Sequence, residues 1–151
     1  MSDVVALRPD PDRTRSRGAG VLVRGALALL ALTAAFVGFW ALLAPASFYT
    51  SFPGLGFTWV SEAGPYDEHL VRDVGALYLA LLVVTVLALL RPASVRPWVA
   101  GLAWLVFGVP HLVFHAAHAG PGDTVEVTAL ALNVLLAVIA CLPTGQRRSM
   151  P

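Results

Sequence analysis

Charge is what this chain of 151 residues has least of: only 13% of it is Asp, Glu, Lys or Arg, against about a quarter in an average soluble domain. Lysine is absent, so all ten basic residues are arginine. The one cysteine, Cys141, excludes an internal disulfide and the paired-thiol exchange of membrane thiol oxidoreductases. A net charge of +1 gives no case for a polyanionic partner, and nucleic acid is excluded. What the chain has in abundance is apolar surface, with 58% hydrophobic residues and a mean hydropathy of +0.76. That composition excludes a soluble enzyme, a disordered chain and a coiled coil, and points to a lipid bilayer.

A helix needs about 20 mostly apolar residues to cross a hydrocarbon core of ~30 Å. Four stretches meet or approach that length: 21–43, 68–90, 97–118 and 124–142. Lipid offers an open backbone no partner, so helices are the expected form. The reading is an all-α fold, a four-helix transmembrane bundle of up-down topology with left-handed packing, over residues 19–143. Residues 1–18 read as a disordered tail and 144–151 as a second, shorter tail. Arg8, Arg13, Arg15, Arg17 and Arg24 sit at or before the start of the first span. Arg91 and Arg96 lie between the second and third spans, and Arg147 and Arg148 follow the fourth. Arg72 alone lies on the other side. By the positive-inside rule both termini are cytoplasmic, in a multi-pass protein of a bacterial cytoplasmic membrane. Ala44-Pro45-Ala46 also reads as a signal-peptide cleavage site, but the apolar run before it exceeds the roughly 7–15 residues of a signal core. An uncleaved first helix is the preferred reading.

The connector 44–66 is not an ordinary polar loop. It carries Phe48, Tyr49, Phe52, Phe57, Trp59 and Tyr66 among Pro and Gly residues. Aromatic residues at this level anchor a chain at the headgroup region. The sharper reading makes the segment a lid over the outer mouth of the bundle.

Helix periodicity selects candidate inward faces. On the third span, steps of four and three from Pro97 give Gly101, Trp104, Gly108, His111, His115 and His118, a heptad seam that collects three histidines. Its glycines permit close backbone approach. Pro110 frees the carbonyl of Val106 and predicts a kink. The same steps give His69, Asp73, Ala76, Ala80 and Val83 on the second span, and Glu126, Ala129, Asn133, Leu136 and Ala140 on the fourth. At 1.5 Å per residue, Asp73 and His111 both lie about 8–10 Å inside the outer end. The expectation is a pocket lined by His69, Arg72, Asp73, His111, His115 and Glu126, with Asn133 at its floor.

Each residue also has a plainer role. Glu68–Arg72 and His69–Asp73 are i,i+4 pairs that stabilise a helix on their own. Asn133 suits interhelical hydrogen bonding, and His118 suits solvent. Ionisable side chains within spans nevertheless mark functional sites as a group. Two chemistries use the set. His111 and His115, one turn apart, could bind a divalent metal such as zinc with Asp73, His69 or Glu126 as third ligand. Without a metal, His69, Arg72, Asp73, Glu126 and Asn133 would bind a small polar, anionic or carbonyl-bearing ligand such as a quinone head group, with His and Asp exchanging protons. Haem ligation by a histidine pair stays open. The multi-histidine di-iron enzymes are excluded by a total of four histidines. Ser47 and Ser51 have no base paired with them in the sequence, so no nucleophile is evident. Three functions follow: a binding bundle, with a metal or small ligand and a redox-accessory role; a membrane enzyme; and a subunit of a homo- or hetero-oligomer whose polar cluster only fixes helix packing.

The run from Gly64-Pro65-Tyr66-Asp67-Glu68-His69 through Arg72-Asp73-Val74-Gly75 to Ala80, together with His111-Leu112-Val113-Phe114-His115-Ala116-Ala117-His118, resembles a group of small actinobacterial four-helix membrane proteins without an assigned activity. The plan of four spans, an aromatic first loop and an Arg-then-Gly start to the second span is similar to the broad DoxX-like superfamily. That likeness implies the four-helix plan. Quinone-linked sulfur oxidation, associated with DoxX-type members, is not carried over, because the histidine stripe departs from their pattern.

Overall fold

The computed structural model describes residues 11–144, and these are mostly helical. In chain order the elements are α1 (Pro11–Leu43), α2 (Pro45–Ser51), β1 (Pro53–Gly54), β2 (Phe57–Thr58), α3 (Trp59–Ala63), α4 (Glu68–Leu90), α5 (Pro97–His118) and α6 (Thr124–Ala140). The part of α1 from Gly18 onward, α4 and α5 are each long and apolar enough to cross a membrane; α6 is apolar but shorter. Its 17 residues extend about 25 Å, less than the ~30 Å of hydrocarbon. It stops before residue 142 because Cys141 and Leu142 donate to Val138 O and Ile139 O, the i,i+3 pattern that tightens a helix end. The first helix starts at Pro11, so the disordered tail expected over 1–18 is corrected there. Proline suits the first helical position, and extending a helix costs far less than nucleating one. Residues 1–10 and 145–151 lie outside the described residues.

Packing follows from where bulk is missing. Val23, Leu27, Leu30, Ala34, Val37 and Ala41 are buried along one stripe of α1. At Gly75 of α4, a Cβ would lie 2.7 Å from Leu42 N and 3.0 Å from Gly38 O, so α1 and α4 touch backbone to backbone. At Gly101 of α5, a Cβ would lie 2.8 Å from Ala137 O, which sets α5 against α6 in the same way. α4 meets α5 through Tyr78 and Trp104, whose rings are 5.8 Å apart. α6 also packs against α1. Exposed Leu, Val and Phe residues cover the outward faces of all four helices, including Leu32, Phe39, Leu77, Val106, Val113 and Leu135. Water would penalise that surface and lipid would not, so the environment it suits is a bilayer.

The connector between α1 and α4 folds inward. Leu55 and Gly56, at φ 58° and 88°, form the two-residue turn between β1 and β2, whose register pairs Pro53 with Thr58 and Gly54 with Phe57. Positive φ at both central residues is what a tight hairpin turn requires. Phe48 is buried, with its ring 4.5 Å from Phe52 and 6.0 Å from Trp40. Phe52 in turn meets Trp59 at 5.9 Å, and Tyr49 donates to Gly64 O at 2.8 Å. This aromatic cluster ties the connector to the end of α1.

Candidate functional site

α5 presents the stripe that its periodicity predicts. Gly101, Trp104 and Gly108 are buried, His111 and His115 half-buried, and His118 exposed at the helix end. The helix runs through Pro110 without interruption. On α6, Glu126 and Asn133 are half-buried on the inward face above Ala137 and Ala140.

On α4 the expected face is wrong by half a turn. Val71, Gly75, Tyr78, Leu81, Thr85 and Ala88 point inward, whereas His69, Asp73, Ala76, Ala80 and Val83 are exposed. His69 Nε2 and Asp73 Oδ2 lie 3.2 Å apart, with side chains 87% and 63% exposed. The glycine contact with α1 decides the rotation of the helix. An i,i+4 pair in its first turns satisfies itself without turning inward. Arg72 is also not a pocket residue. It binds Glu68 Oε1 at 2.8 Å and donates through Nη1 to Leu42 O, a carbonyl in the last turn of α1 that has no partner within its helix. Its role is to cap α1. Asp67 caps α4 by accepting from Leu70 N–H at 3.1 Å.

The residues that do converge line a cavity of about 400 Å³ between α1, α4, α5 and α6, roofed by α2, Phe52 and α3. Phe48, Phe52 and Trp59 close the top; Phe107, Val74 and Leu130 form apolar walls. His111, His115, Glu126, Asn133, Tyr78 and Thr33 are its polar lining. His115 Nδ1 lies 2.9 Å from Glu126 Oε1, with the two side chains 18% and 14% exposed. The His111 ring sits 4.6 Å from that of His115 and stacks on Phe107 at 5.2 Å. His69, Arg72 and Asp73 are outside this lining.

Among the described residues, no group of three or more His, Cys, Asp or Glu is placed to hold a metal ion. The set His111, His115 and Asp73 is therefore not assembled: the two histidines meet and Asp73 lies on the outward side of α4.

Tyr78 is the residue that sequence patterning missed. It is only 8% exposed, it lines the cavity, and its hydroxyl makes no hydrogen bond to the described residues. Asn133 and His111 likewise line the cavity without a hydrogen bond from those residues. Every fully enclosed side-chain N or O among the described residues has a partner, so the polar atoms of these three lining residues are accessible rather than enclosed. A tyrosine amid apolar residues carries no sequence signal of its own; its place beside Gly75 on the packed stripe was the available clue. Below them Trp104 Nε1 donates to Thr85 Oγ1 at 2.8 Å and Thr85 to Leu81 O at 2.6 Å, which completes the buried polar pairing.

Compared with protein-family models, curated proteins and solved structures, the chain matches none.

Proposed function

We propose that this chain is a multi-pass membrane protein whose four apolar helices form an up-down bundle, and that its lidded cavity binds a small molecule with an apolar body and a carbonyl or hydroxyl head. A quinone head group has that form. The observation that carries the reading is the cavity itself: aromatic and aliphatic walls around the Tyr78, His111 and Asn133 polar groups, which have no hydrogen-bond partner among the described residues. Pockets for small molecules combine mostly apolar linings with a few polar groups that fix orientation. Leaving such groups dry and unpaired costs about 1–3 kcal/mol each, so water or a ligand must meet them. Nine of the ten arginines fall on the side opposite the lid, which supports cytoplasmic termini and a lid on the outer face of a bacterial membrane.

The test is co-purification. Ala129 is exposed yet lines the cavity, so Ala129→Phe fills it without displacing packed core. Mass spectrometry of organic extracts should find a small molecule stoichiometric with the wild-type protein and depleted in Ala129→Phe. Equal recovery from both proteins would refute the cavity as its site.

A further inference from the structure

The His115–Glu126 pair says more about the ligand than the cavity's shape does. Both side chains are largely withdrawn from solvent, at 2.9 Å between Nδ1 and Oε1. With the carboxylate ionised and the imidazole neutral, Nδ1 carries the proton that it donates, so Nε2 is left as a bare acceptor. Among the described residues nothing donates to Nε2. A nitrogen held in this way by a carboxylate is the arrangement that lets histidine accept a proton from a bound hydroxyl and stabilises the imidazolium that forms. A carbonyl oxygen alone cannot satisfy it, because two acceptors repel.

The second half of the chemistry lies on the other walls. The Tyr78 hydroxyl and the Asn133 amide, on α4 and α6, are donors without partners among the described residues. They can hold a second oxygen of the ligand, or the oxygen that becomes negative. Between these groups the roof and wall offer Phe48, Phe52, Trp59 and Phe107, rings that suit a flat aromatic body.

We infer that the cavity takes a hydroxylated ring, a phenol- or enol-type acid, and binds it as the oxyanion with its proton on His115. This rests on the cavity-binding reading above and narrows it. In the step the ligand O–H bond breaks, its electron pair stays on oxygen, and an N–H bond forms at His115 Nε2. No electron changes hands and no co-reactant is needed. The imidazolium then lies between the Glu126 carboxylate and the ligand oxyanion. The other titratable groups about the pair are His111 on α5, Tyr78 on α4, Asp123 at the N-cap of α6 and Glu62 on α3, with none contributed by the part of α1 that lines the cavity.

The probe is 4-nitrophenol, whose phenol and phenolate forms absorb at different wavelengths. It is titrated against the full chain in lipid nanodiscs, in a buffer acidic enough to keep the free probe neutral. The wild type should show saturable binding with the phenolate band of the bound probe. His115→Phe and Glu126→Gln, each checked for folding by circular dichroism and gel filtration, should lose that band. The second variant keeps the test open if the first fails to fold. Saturable binding in the neutral phenol form would overturn proton transfer while leaving the cavity reading intact. No saturable binding by the wild type would overturn the ligand class, whereas failure of the Ala129→Phe co-purification would overturn the cavity as a binding site.

Discussion

Thr85 and Trp104 show how one hydroxyl settles a buried polar group. Both are fully buried, and the indole N–H has Thr85 Oγ1 as its acceptor. Thr85→Val keeps the shape and removes that acceptor, leaving a donor stranded between α4 and α5. The expected loss is about 1–3 kcal/mol. Trp104→Phe added to Thr85→Val should cost less than the sum of the two single changes, since no donor is then left unpaired. Thermal denaturation in detergent of the four proteins checks this, and strict additivity would dismiss the bond as a stabilising element. The same distinction separates Arg72 from His115. Each carries a polar head near the lid end, but Arg72 directs its donors to Glu68 and Leu42 O, while His115 pairs through Nδ1 with Glu126 and its Nε2 has no hydrogen bond among the described residues.

For the helices, rotation is decided by close approach. α4 could expose either of two polar stripes, and its orientation follows from Gly75 against Leu42 N and Gly38 O. Backbone atoms cannot step aside as a side-chain tip can. Gly75→Val should therefore separate α1 from α4 and destabilise the protein by about 1–3 kcal/mol, the usual range for an overpacked site. Gly64→Val, where a Cβ meets nothing within 4 Å and φ lies in the extended region, should leave the melting midpoint within error of wild type. The pair of melting curves tests whether this crossing, rather than glycine content in general, holds the helices together. The aromatic connector depends on the same register, because its Phe48 and Phe52 pack on the end of α1.

At the scale of the whole molecule, the arrangement is a set of apolar helices with a folded connector over one end and, among the described residues, Arg24, Arg91 and Arg96 at the other. If the proposed threading holds, a reporter fused after Arg148 should be active only in the cytoplasm, and one inserted at Gly120 only outside. An extracytoplasmic signal from the first fusion would reverse the orientation and place the cavity on the inner face.

Residue chemistry alone determined the helices and the apolar surface that suits them to lipid. Long apolar runs cannot pay for unpaired backbone in any other form, and a 3.6-residue period placed His111, His115 and Asn133 on inward faces of their own helices. Tertiary structure decided which polar residues share a space. The period describes a face but not its direction, and an ionisable pair near a helix end gains little from either choice. Contact between glycine backbones made that choice for α4, turning His69 and Asp73 outward and bringing Tyr78 to the cavity, and distant aromatic contacts folded the connector into its roof.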